Sequence, residues 1–494
     1  MLTSILLFAL TSHAALVQAP AEQVPEIRWD PAPFIGEYRD RSGAQELAGR
    51  LGRITVPENR AKGTGGTVEV AFVVYKTENK APLAPMVYLV GGPGGAGTEF
   101  GASFAKHPLL AVLDYCDVIA VDQRGTGLSL PNLSAGPDLT YTLPLDQPLT
   151  QAAEEEAFAA AAARGYAYWT REGVDLAAFN TEESAEDIDD VRRALGLEKI
   201  TLWGGSYGSH LGLAYLRRHS DHVERAVLQK VEGPDHTLKL PSTVQRHLEQ
   251  LSAMVAADKS IGAAMPDLLG LTRELIARLD KAPVKVSIER GGAPVEVTVG
   301  AFDLQRELAL SLGSIRDLAQ VPARLYAMSN GDWSELAAAA LESRYGDVGS
   351  MMTVMMDMSS GASPKRRAQI EREAADARNL LGDTINAPFG ALVRKAVGDP
   401  DLGDSFRAPI QSDVLVVFLT GRLDVRTPPE NVAELRAGFP NHVYLDVTGV
   451  SHDSFEMLSR DYQRVMKSFL SGEPVESQVI HIDEMKFRPL PSVK

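Results

Sequence analysis

A chain of 494 residues, 45% of them hydrophobic, can bury a large core and is too long for one plain domain, so two are expected. Its net charge of −16 argues against nucleic acid or an anionic membrane as partner, because both need a basic face; small or cationic ligands fit better. A single cysteine, Cys116, allows no internal disulfide, and its place on an apolar run reads as a buried core thiol.

Met1 to Ala14 read as an export signal. Ile5-Leu6-Leu7-Phe8-Ala9-Leu10 is apolar but too short to span a bilayer, and Ser12-His13-Ala14 offers a small-x-small site with cleavage expected after Ala14. The protein is therefore expected to be periplasmic or secreted, with no membrane span once the signal is removed. A polar leader runs over 15–50. Arg53 to Pro57 and Val68 to Tyr75 look like the strands of a hairpin, separated by the turn-rich Lys62-Gly63-Thr64-Gly65-Gly66. Met86 to Val90 is a continuous apolar run of the kind covered on both faces in a parallel sheet. It opens into Gly91-Gly92-Pro93-Gly94-Gly95, a loop that brings backbone N–H groups close to whatever sits above the strand ends.

A further buried strand from Cys116 leads to Asp122-Gln123-Arg124-Gly125-Thr126-Gly127-Leu128-Ser129, where Asp122 and Arg124 read as braces for loops rather than reactants. A helix is expected around Ala152 to Arg164. A second begins at Asn180, with Glu183 at capping-box spacing. Ile200-Thr201-Leu202 then runs into Trp203-Gly204-Gly205-Ser206-Tyr207-Gly208 and a helix. A strand entering a helix through Gly-x-Ser-x-Gly is a nucleophile elbow, whose glycines are needed because the turn leaves no room for side chains. Arg225 to Val231 is the next core strand. Strands alternating with helices in this way imply a doubly wound, mostly parallel α/β sheet.

From 234 to 409 the pattern turns mainly helical, with one hairpin turned by Gly291-Gly292, and reads as a cap inserted in the core. The sheet resumes at Val414 to Leu419 and Val443 to Val447, and a last helix reaches Leu470. The division expected is signal 1–14, leader 15–50, first half of the core 51–233, cap 234–409, second half of the core 410–472 and tail 473–494. Metal-ligand spacings and the Gly-Lys-Ser/Thr of a phosphate loop are missing, so neither metal nor cofactor is expected.

A serine hydroxyl needs an imidazole base, itself oriented by a carboxylate. After an elbow of this kind the order is serine, acid, histidine, each past the carboxyl end of a strand. Asp424 follows the strand ending at Leu419, and His452 follows the one ending at Val447. His219, His222, His236 and His247 precede the resumed sheet, His442 starts a strand and His481 lies in the tail. Asp413 and Asp446 flank or sit in strands, and Asp453 is too close to its neighbour. For the oxyanion, the expected donors are the backbone N–H of Tyr207 and one from the first glycine loop: Gly92, with Gly91 in reserve, because Pro93 has none.

Gly91-Gly92-Pro93-Gly94-Gly95, Asp122-Gln123-Arg124-Gly125, Gly204-Gly205-Ser206-Tyr207-Gly208, Asp424 before Thr427-Pro428, and Gly449-x-x-His452 together resemble the proline iminopeptidase and tripeptidyl aminopeptidase branch of the α/β-hydrolases. The resemblance implies an α/β-hydrolase fold with a helical cap and a serine hydrolase acting on short peptides from a free N-terminus; a secreted carboxylesterase on the same triad is the alternative, and a non-catalytic hydrolase-fold binding protein is a competing class that a triad in the correct order argues against. Val90 departs from the histidine common before this glycine loop, and the cap reads Met355-Met356-Asp357-Met358 where such members carry a cysteine and an acid. An ammonium anchor would need carboxylates near the nucleophile. Glu232, just past a strand end, is the first choice, Asp235 lies close behind, and Asp357 in the cap is a third. The methionines at 351, 352, 355, 356 and 358 could line an apolar pocket or pack a helix core.

Overall fold

Eleven of the described strands form one sheet in the computed structural model, which describes residues 24–40, 43–63, 65–99, 112–453, 459–483 and 485–492. The export signal expected at 1–14 lies outside these residues. In chain order the strands are β1 (Arg28–Trp29), β2 (Phe34–Asp40), β3 (Gly43–Pro57), β4 (Thr67–Tyr75), β5 (Met86–Leu89), β6 (Val118–Val121), β7 (Ile200–Ser206), β8 (Val223–Val231), β9 (Leu415–Gly421), β10 (His442–Val447) and β11 (Gln478–Ile480). Their order across the sheet is β1-β3-β4-β6-β5-β7-β8-β9-β10-β11, with β2 on β3. From β6 to β11 all pairings are parallel, while β1 to β4 add an antiparallel flank.

That flank is where the structure adds most to the sequence reading. The polar leader contributes β1, β2 and the first half of a 15-residue β3, not merely the short strand at 53–57. Polar residues suffice there because an antiparallel edge needs only one covered face. The central strands show the opposite signature. Along β7 to β9, Leu202, Ala226, Leu228, Val416 and Phe418 pack into one cluster, while Trp203, Val227, Val417 and Leu419 pack into another on the far face. Successive side chains point to opposite faces, so apolar residues at every position mean that both faces are covered.

The main helices are α1 (Gln151–Arg171), α2 (Thr181–Ala194), α3 (Tyr207–His219), α4 (Pro241–Ala257), α5 (Ala301–Ser311), α6 (Met351–Ser360) and α7 (Arg460–Leu470). Asn180 caps α2 by accepting the Glu183 N–H at 3.0 Å, but the Glu183 carboxylate turns to Arg60 instead of completing a capping box. Between β8 and β9 lie helices and the hairpin Val284–Arg290/Ala293–Val299, with their own apolar cluster. The tail is not loose: β11 extends the sheet, and Met485, Phe487 and Leu490 pack against that cluster. No helix among the described residues is long and apolar enough to cross a membrane.

Strand order reverses at β5, which has β6 on one side and β7 on the other. Ligands of open α/β sheets bind outside the carboxyl ends of the strands at such a reversal. The loop after β5 carries Gly91 and Gly92; β7 ends at Ser206.

Candidate active site

Backbone geometry sets Ser206 apart before any partner is considered. It has φ 56° and ψ −131° between β7 and α3, a conformation that non-glycine residues rarely adopt. The neighbouring glycines make this possible. A Cβ on Gly204 would lie 2.2 Å from the Gly208 carbonyl oxygen, one on Gly208 would lie 2.0 Å from that of Leu89, and one on Gly91 would lie 2.9 Å from that of Gly205. Ser209 fixes the turn by donating to the Ser206 carbonyl at 2.6 Å and accepting the Glu232 N–H at 2.8 Å. The Ser206 turn and the end of β8 are thus one hydrogen-bonded unit.

Asp424 and His452, on the loops after β9 and β10, converge on this serine. His452 Nε2 lies 3.0 Å from Ser206 Oγ, and its Nδ1 lies 2.9 Å from Asp424 Oδ2. Asp424 is fully buried and accepts the N–H groups of Arg426 and Thr427, each at 2.9 Å, and the Thr427 hydroxyl at 2.6 Å. Burial alone would raise its pKa, but His452 and the donors of Thr427 outweigh that and hold the carboxyl well below the usual range. An ionised acid on Nδ1 leaves Nε2 free to take the serine proton. Gly92, Pro93, Ser206 and His452 share the wall of a cavity of about 300 Å³. Tyr207 opens α3, so its backbone N–H is among those a helix leaves without an internal partner.

Glu232 and Asp357 line the same cavity, reaching it from the core and from α6. Glu232 is neither solvated nor paired with Arg124. Its partner is Lys239, whose ammonium lies 3.0 Å from Oε2 and also donates to the carbonyls of His236 and Thr237. Burial would raise the Glu232 pKa; Lys239, His210 and His236 together more than offset it, so the net direction is downward. Asp357 goes the other way. Burial first, then the charge of Glu232, push its carboxyl up to about 8. Asp235 is turned aside onto the N–H and hydroxyl of Ser363.

Arg124 and Asp122 are structural. Arg124 is fully buried, with both Asp187 oxygens at 2.7 Å, and Asp122 takes the N–H groups of Thr98 and Leu128. Met351, Met352, Met355 and Met356 are fully buried, so α6 is a packed helix with Met358 at the cavity wall. Burial pushes the Cys116 thiol up to about 12, which leaves it inert. Lys239 and His210 were not singled out from the sequence. Buried His210 joins Ser360 of α6 at 3.1 Å to the Gly233 carbonyl at 3.1 Å. Its position one turn into the elbow helix was the available signal.

Comparison with known proteins places these features in a wider group. Residues 84–456 match the alpha/beta hydrolase fold family. The tripeptidyl aminopeptidase of Streptomyces lividans is 31% identical over 194 residues, which cover 37% of this chain and 36% of that protein. The proline iminopeptidase of Neisseria meningitidis serogroup B is 27% identical over 164 residues, 33% of this chain and 37% of that one. Serine protease Hip1 of Mycobacterium tuberculosis is 25% identical over 197 residues, 37% and 36% respectively. The matched segments thus span little more than a third of the length of these relatives.

Proposed function

Because the chain belongs to the alpha/beta hydrolase fold family, we propose that it is a serine hydrolase acting through an acyl-enzyme, and that it releases residues from the free N-termini of short peptides. In this reading Ser206 Oγ attacks the scissile carbonyl while His452 Nε2 takes its proton, and Asp424 stabilises the imidazolium. The developing oxyanion is met by the N–H groups of Gly92 and Tyr207. The C–N bond then breaks as His452 returns the proton to the departing amine. A water molecule, deprotonated by His452, hydrolyses the ester on Ser206 and restores the enzyme.

One observation carries the peptide assignment: Glu232 and Asp357 stand in the cavity that holds Ser206. A buried ammonium needs carboxylates beside it, and an entering peptide amine would supply the positive charge that allows Asp357 to ionise. The experiment compares free and N-acetylated aminoacyl arylamides. Free N-termini should be preferred, Glu232→Gln and Asp357→Asn should each reduce that preference, and Ser206→Ala should lose turnover by several orders of magnitude. Equal turnover of free and acetylated substrates would remove the aminopeptidase reading. A small-ester hydrolase is the second reading, supported by Lys239, which already neutralises Glu232.

A further inference from the structure

Arg426 stands beside Asp424 and His452, and no charge among the described residues pairs with it. Its backbone N–H donates to Asp424 Oδ1 at 2.9 Å, which fixes where the side chain starts. Among the described residues the guanidinium has no ion-pair or hydrogen-bond partner and it is exposed, yet its stem is well seated. A Cβ on Gly313 would lie 2.9 Å from Arg426 Nε and 3.5 Å from Cδ. Gly313 is buried between α5 and the next turn, where only a missing side chain leaves room for this arginine.

Arg426 lines two cavities. The first, described above, holds Ser206 and the two carboxylates; a second, of about 360 Å³, has none of these three in its wall and shares with the first Leu310, Arg426 and His452. His452 delivers its proton to the departing amine, so the leaving group must lie against the imidazole. That places the acyl part of a substrate toward Glu232 and Asp357 and the leaving part toward Arg426. Three acids line the second cavity, and each is engaged elsewhere. Glu307 accepts from Arg324 at 2.7 Å, Asp317 lies 3.9 Å from the same arginine, and Asp453 accepts the Ile315 N–H at 2.9 Å.

We propose that Arg426 binds the terminal carboxylate of the leaving group, so that peptides ending shortly after the scissile bond are favoured over longer or amidated ones. The peptide nature of the leaving group rests on the aminopeptidase reading; the preference for a negative charge there rests on Arg426 alone. A guanidinium–carboxylate pair at a partly wet site is worth about tenfold in binding or more.

The test measures kcat/KM for Ala-Ala against Ala-Ala amide, and for 4-acetoxybenzoate against 4-acetoxybenzamide, which carry the same contrast on an ester. Wild type should favour the acid by about tenfold, Arg426→Gln should bring the ratio to within about twofold of one, and Arg426→Lys should keep part of it. Gly313→Ala, which displaces the side chain without removing its charge, should also lower the ratio. An acid-to-amide ratio near one in the wild type, or one that survives in Arg426→Gln, would overturn the assignment. If free and acetylated N-termini are cleaved equally, the aminopeptidase reading falls and the ester pair decides for or against Arg426.

Discussion

At Asp357 burial and function pull in opposite directions. Its carboxyl is raised to about 8 in the folded chain, so the folded state holds a proton that the unfolded state releases near the ordinary carboxylate range. The stabilising effect of that proton is complete at low pH and is lost as pH rises through about 8. Asp357→Asn carries no ionisable group there. Its Tm should match wild type near pH 4, exceed it increasingly up to about pH 8, and hold that gain above; a constant offset across pH would show that ionisation is not the cause. The proposed substrate ammonium reverses the sign, because it is the ionised pair that attracts it.

At the scale of elements, the elbow depends on close backbone approach. In Gly208→Ala the added methyl would meet a carbonyl oxygen of β5, which cannot withdraw without breaking its strand. A shift of about 1 Å in the serine should cost on the order of a hundredfold in fluorophosphonate labelling of Ser206. Labelling at the wild-type rate would show that the turn has slack. This element was legible in the sequence because its signals are local: an apolar run, glycines at fixed spacing and a helix behind them. Asp424 and His452 were legible for the same reason, since each follows a recognisable strand in the expected order. The pairing of Glu232 with Lys239 and the seat of Arg426 against Gly313 were not. Glu232 and Lys239 are only seven residues apart, but on an irregular stretch with no helical or strand period to announce the pair; Arg426 and Gly313 are remote in sequence and meet only in the folded chain. The first strands were hidden for another reason: an edge ribbon with one wet face lacks the apolar run that marks the central strands.

Over the whole molecule, the cap is tied to the core around the site. Thr353 of α6 donates to the Pro93 carbonyl at 2.8 Å, Ser451 donates to that of Leu312 at 3.2 Å, and in the tail the Arg488 N–H reaches the Ala319 carbonyl at 2.9 Å. A cap held at several points should admit short chains and exclude folded ones. Intact casein should be cut far more slowly than dipeptides to tetrapeptides, and a truncation removing 485–494 should narrow that gap while lowering Tm. Rapid cleavage of intact casein by the full chain would contradict a closed cap. The same insertion has a consequence in time. β8 lies between β7 and β9 in the finished sheet, yet 183 residues lie between Val231 and Leu415. At about 5–20 residues per second, the ribosome leaves that apolar edge unpaired for on the order of 10–40 s. Asp424 and His452 emerge later still, so nascent chains stalled before Leu415 should not react with fluorophosphonate. On the proposed chemistry the newborn protein should stay silent until its last strands dock, and during that interval a chaperone would have a hydrophobic edge to hold.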